Sequence, residues 1–127
     1  MYSHITLGID DFPKAEPFYD AIMDVLGHPV LFGHDKSKAW GEPTGPKLFI
    51  GPAFDGQPTS HGNGQHAAFI ATTRKQVDAF YDAALSNGGS DEGKPGLRAH
   101  YHPNYYGAYV RDPEGNKLQV VCHSANG

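Results

Sequence analysis

Residues 18–21 read Phe18-Tyr19-Asp20-Ala21, and residues 80–83 read Phe80-Tyr81-Asp82-Ala83. The two tetrapeptides are identical and lie 62 positions apart. Four matched residues are a weak repeat on their own. The same offset also carries His4 onto His66 and Gly27 onto Gly89. A strand histidine, a helix and a helix-ending glycine that agree on one offset point to a duplicated unit. Past an insertion in the second half, an offset of 70 lays Lys47-Leu48-Phe49-Ile50 on Lys117-Leu118-Gln119-Val120.

Periodicity around these anchors gives both halves one order of elements. Residues 2–9 alternate: Ile5, Leu7 and Ile9 share one face, and His4, Thr6 and Gly8 share the other. That is a strand with a polar second face. Residues 13–26 read as a helix opened by Pro13 and closed by Gly27, with Phe18, Ile22, Val25 and Leu26 as its apolar stripe. Short strands are expected at 29–34, 37–41 and 47–51. Residues 52–64 hold Pro52, Gly56, Pro58, Gly62 and Gly64 without an apolar period, and read as a linker. The second half offers a strand at 65–71 and a helix at 74–87, stopped by Gly88-Gly89. A Gly/Pro-rich stretch runs from 89 to 97, and the Gly-rich insertion at 88–96 reads as a loop at a cavity mouth. It leads to a strand near 98–102, then to a hairpin of 105–112 and 117–123 around Pro113-Glu114-Gly115-Asn116. The expected class is α+β. Two βαβββ modules, residues 1–51 and 65–127, would be joined by the linker 52–64 into one structural domain. Their sheets would form a paired, incompletely closed barrel around a shared cavity.

Composition excludes several alternatives. The chain has 127 residues, enough to bury a core without disulfides. Its net charge is −4, from 10 basic and 14 acidic residues, which argues against a nucleic-acid surface. No apolar run is long enough to span a bilayer. The opening Met1-Tyr2-Ser3-His4 has no secretory pattern, and the one cysteine, Cys122, cannot form an internal disulfide. A cytoplasmic protein is expected, with no partner among nucleic acids or membranes. Eight histidines raise the question of a metal.

Strand alternation names the residues that would face a shared cavity. His4 and His66 lie opposite the apolar faces of their strands, and Phe49 and Gln119 take the equivalent inward places on the last strand of each module. These paired modules, the strand histidines and the closing stretch Arg111-Asp112-Pro113-Glu114-Gly115-Asn116-Lys117-Leu118-Gln119 resemble the vicinal oxygen chelate superfamily. That superfamily contains glyoxalase I, bleomycin-resistance proteins and extradiol dioxygenases. The resemblance covers essentially the whole chain. It implies metal ligands on first and last strands, commonly two histidines with one or two glutamates, and it implies a homodimer. The match holds at His4 and His66. It departs at Gln119, where glutamate is typical, and at Phe49, which cannot ligate.

Two function classes follow. In one, His4, His66 and Gln119 hold a divalent metal such as Zn, Fe, Ni or Mn, with no organic cofactor. The metal would then act as a Lewis acid on a small oxygen-rich substrate, in lyase, isomerase or dioxygenase chemistry. In the other, the chain is a metal-free module that binds and sequesters a small molecule, as bleomycin-resistance members do. The run from Arg98 to Tyr106 offers a substrate wall: Arg98 for an anion, Tyr101 and Tyr105 for stacking, Asn104 for hydrogen bonding. Phe49 and Trp40 are further lining candidates, although Trp40 equally suits a core. His123 lies about 13 Å along its strand from Gln119, too far to share one metal. His61, in the linker, could close over the cavity. His28 and His34 read as surface residues, and Cys122 points away from the cavity.

Overall fold

A computed structural model describes all of residues 1–127. The first half runs β1 (His4–Gly8), α1 (Phe12–Leu26), β2 (Val30–Gly33), β3 (Lys38–Gly41) and β4 (Lys47–Gly51). The second runs β5 (Ala67–Ile70), α2 (Arg74–Ser86), β6 (Ser90–Leu97), β7 (Tyr106–Arg111) and β8 (Lys117–Cys122). Each half makes one four-stranded sheet, β1-β4-β3-β2 and β5-β8-β7-β6. In both, the first strand pairs parallel to the last, and the remaining pairs are antiparallel. The fold is therefore α+β, two βαβββ modules whose sheets do not close.

The two helices pack on each other. One cluster of 21 buried residues draws on both halves: Phe18, Tyr19, Ile22, Trp40 and Ile50 from the first, Val77, Phe80, Leu118 and Val120 from the second. Burying each such large side chain contributes about 1.5–3 kcal/mol. The helix ends repeat in outline and differ in detail. Gly27 caps α1 in the left-handed region, at φ 79°. After α2 the left-handed residue is Gly88, at φ 94°. Gly89 serves another need, because a Cβ there would lie 2.6 Å from the ring of Phe18.

Two expectations fail in the second module. Residues 90–97 are not a loop but β6, the edge strand of the second sheet. Only one side of it is paired, so Pro95 and the glycines are tolerated, and the register slips between Asp91 and Gly93 and between Gly93 and Gly96. Residues 98–102 are not a strand. They form a turn, closed where Arg98 N–H donates to Tyr105 O at 2.7 Å and Tyr101 N–H to Arg98 O at 2.9 Å.

The turn between β7 and β8 fastens the modules together. The Asp112 carboxylate accepts from the amides of Glu114 and Asn116, each at 2.8 Å, and from Asn116 Nδ2 at 2.9 Å. It also accepts the Tyr19 hydroxyl at 2.6 Å, from α1 of the other module. Burial, then the adjoining Asp112 charge, hold the Tyr19 phenol well above its ordinary range. Asn116 Nδ2 donates to Gly8 O at 3.1 Å. Glu114 accepts from the amides of Asp10 and Asp11, at 3.0 and 2.7 Å, just ahead of α1.

Candidate functional site

The structure divides the four expected cavity residues into two pairs, one on each sheet. On the first, His4 and Phe49 touch edge to face, 4.9 Å between centroids. Phe32 continues the row, 5.6 Å from Phe49. Ser3 Oγ lies 2.9 Å from His4 Nδ1. On the second, His66 Nε2 donates to Gln119 Oε1 at 3.3 Å. Gln119 Nε2 in turn donates to the Tyr105 hydroxyl. Gln119 is 3% exposed, so both ends of its amide need these partners.

Tyr109 stands opposite Gln119 in the β7–β8 register. Its ring meets His66 at 5.7 Å, Lys117 Nζ at 5.1 Å and the Arg98 guanidinium at 5.8 Å. Burial pushes the Tyr109 phenol up to about 12, with help from the neighbouring Tyr101. A neutral hydroxyl at this site can both donate and accept. Sequence reading missed Tyr109, although the signal was present: a hairpin around residues 112–116 sets 109 against 119.

The expected substrate wall is partly assembled. Tyr101 and Tyr105 lie 4.8 Å apart, and Tyr105 meets His123 at 5.3 Å. Asn104 N–H donates to His102 Nδ1 at 3.1 Å, which leaves the His102 proton on Nε2. That Nε2–H donates to His123 Nδ1 at 2.9 Å. Arg98 is committed to the turn, since Nη1 donates to the carbonyls of Gly96 and Gly107 and Nη2 to that of Lys94. With three of its five N–H groups on backbone carbonyls, it braces this corner rather than reaching for an anion. Trp40 belongs to the core, 1% exposed, and donates through Nε1 to Asp20 at 3.2 Å. Cys122 is likewise buried in the core.

His61 comes from the linker and lies over the β7–β8 turn, where a Cβ on Gly115 would sit 3.3 Å from its Nδ1. It lines a cleft of about 220 Å³ between β1 and the start of β5, together with His66 but not His4.

Of the expected triad, His66 and Gln119 are brought together on the second sheet, while His4 lies on the first. His66 Nε2 and Gln119 Oε1, 3.3 Å apart, meet as donor and acceptor. His4 keeps company with Ser3 and Phe49 on the other sheet. No group of three His, Cys, Asp or Glu side chains within the chain is placed to hold a metal ion. What the second sheet offers is a polar, aromatic surface of hydrogen-bond donors and acceptors, with Lys117 and Arg98 against the Tyr109 ring.

Comparison with known proteins agrees with the architecture. A family model described as "Glyoxalase/Bleomycin resistance protein/Dioxygenase superfamily" matches residues 2–120. No curated protein sequence matches. Among solved structures, a glyoxalase/bleomycin resistance protein from Albidiferax ferrireducens T118 is 34% identical. It covers 97% of this chain and 98% of its own, with a TM-score of 0.86. A glyoxalase/bleomycin resistance protein/dioxygenase family enzyme from Burkholderia phytofirmans PsJN shares the fold at 18% identity, with coverage of 96% and 98% and a TM-score of 0.71. Lactoylglutathione lyase from Agrobacterium tumefaciens does so at 22% identity, with coverage of 95% and 92% and a TM-score of 0.65.

Proposed function

The chain belongs to the glyoxalase/bleomycin resistance protein/dioxygenase superfamily, and within it we propose a protein that binds a small molecule without a metal, on the open face of its second sheet. The observation that carries this reading is the hydrogen-bonded series His66–Gln119–Tyr105. In it, glutamine stands where the resemblance leads one to expect glutamate. An amide there orients its neighbours and brings no negative charge with which to hold a cation.

A ligand on this face would stack on Tyr105 and Tyr109 and exchange hydrogen bonds with their hydroxyls and with His66. Tyr101, 56% exposed, forms the outer edge. The polar groups would set orientation and the rings supply contact area. Phe49 and His4 belong to the first sheet, so they would enter such a site only from a second copy. A homodimer is part of this proposal, supported by the exposed aromatic row on the first sheet. No helix is long and apolar enough to cross a membrane. A cytoplasmic setting remains our reading, resting on the single reduced, buried cysteine.

The competing enzyme reading requires bound metal. Tag-free protein, purified and subjected to elemental analysis, should contain far less than one equivalent of Zn, Fe, Ni or Mn. Screening small aromatic and oxygen-rich compounds by tyrosine fluorescence should give ligands whose affinity falls in Tyr105→Phe and Gln119→Ala. Stoichiometric metal, or turnover of a vicinal-oxygen substrate that needs added metal, would overturn the proposal.

A further inference from the structure

The cleft between the modules is built differently from the sheet face. Its walls are β1 (Ile5, Thr6, Leu7 and Gly8), the linker end with Ser60, His61 and Gln65, and Asn116 with Lys117 at the head of β8. The linker lies tightly on β1, because a Cβ on Gly8 would come within 2.9 Å of Thr59. No carboxylate lines the cleft. That stands out in a chain with 14 acidic residues and a net charge of −4. The acids on the bordering segments point their oxygens elsewhere. Glu114 serves the amides of Asp10 and Asp11, and the Asp10 carboxylate accepts from Thr59 N–H at 3.0 Å.

The polar side chains that line it are two hydroxyls, two imidazoles, two carboxamides and an ammonium, with the Asn116 amide already committed to Gly8 O and Asp112. Lys117 has no carboxylate within ion-pair reach, whereas Lys38, Lys14 and Arg111 all do. Its counterpart in the first module, Lys47, is tied to the carbonyl of Gly45 at 2.8 Å. Lys117 instead rests over the Tyr109 ring at 5.1 Å, with its ammonium unpaired. A site of about 220 Å³ with one free cation, several neutral donors and no acid suits a small oxyanion.

We propose that the cleft between β1 and the β5 entry binds a small oxyanion, a carboxylate or a phosphoryl group, held by Lys117 and His61. This site adjoins the sheet face proposed for the other ligand: His66 borders both, and the Lys117 ammonium lies over Tyr109. His61 gives it a gate-like wall, since that side chain comes from the linker and only leans on the Gly115 turn.

The test is a titration of ¹⁵N-labelled full-length protein with inorganic phosphate, and separately with acetate. Saturable shifts are expected at the amides of Ser60, His61, Gln65, His66 and Lys117. Saturation by phosphate alone assigns a phosphoryl group, and by acetate a carboxylate. Lys117→Gln and His61→Gln, folded as judged by their amide spectra, should each weaken binding about tenfold, the loss that goes with one charge-assisted contact. Tyr105→Phe, which reaches the cleft only through Gln119 and His66, should weaken the anion far less than Lys117→Gln. Saturation by neither anion would overturn the proposal. So would an affinity that is equal in the parent and in the Lys117→Gln/His61→Gln double variant. If Tyr105→Phe weakened binding as much as Lys117→Gln, the anion would belong to the sheet face and not to the cleft.

Discussion

Tyr109 is the residue of the candidate site whose surroundings most alter its chemistry. Its folded phenol titrates at about 12, chiefly because burial disfavours the phenolate, against about 10 for an exposed tyrosine. A pKa raised on folding stabilises the folded state below the unfolded value. That contribution is lost as pH climbs from about 10 through 12, because the unfolded chain gives up its proton first. Urea midpoints should therefore fall more steeply over this alkaline window in the parent than in Tyr109→Phe. A tyrosinate absorbance titration should show one late-ionising group fewer in the variant. Equal slopes would mean that the ring is more open to water than its contacts imply. At this scale the sequence was partly informative. Alternation placed His66 and Gln119 on one face, and they meet. It could not reveal that His66 would donate to Gln119, because that depends on side-chain orientation set by Tyr105, 14 residues from Gln119.

The most informative element is the turn that joins β7 to β8. Its Asp-Pro-Glu-Gly-Asn run was legible as a hairpin turn and as the best local sign of the family. Its wider task was not, because Asn116 reaches Gly8 across 108 residues and no local pattern encodes such a contact. Asp112 is the hub, with four donors on one buried carboxylate. Tyr19→Phe removes one of them and should cost about 1–3 kcal/mol. Asp112→Ala strands all four and should cost more than about 3 kcal/mol, enough to unfold much of a marginal domain. Denaturant midpoints would measure both, and equal costs would show that Asp112 acts through Tyr19 alone. β6 illustrates the opposite failure of legibility. Glycine and proline argue against a strand when counted locally, yet an edge position with a slipped register accepts them. Residues 98–102 erred the other way, because alternating Ala-His-Tyr-His mimics a strand where the chain in fact turns back.

Across the whole molecule the repeat was legible and its geometry was not. Equal offsets correctly implied equal modules. They also suggested that His4 and His66 share one cavity; the two lie on different sheets, and the cleft between β1 and the start of β5 is lined by His66 and not by His4. The first sheet is left with His4, Phe49 and Phe32 in an aromatic row, Phe32 being 40% exposed. On β5, Ile70 is 71% exposed. Apolar surface that is contiguous and open to water favours association, and a twofold pair is the commonest way to cover it. Light scattering at micromolar concentration should therefore give twice the mass of the 13.7 kDa chain. Phe32→Ser should shift that equilibrium toward monomer while leaving the fold intact, because Phe32 lies outside the buried cluster. Ile70→Ser tests whether β5 shares the interface. A parent that stays monomeric would leave the aromatic row as an open surface, and any ligand site would then have to be complete within one chain. A dimer that survives Phe32→Ser would place the contact on another face, with His4 and Phe49 outside it.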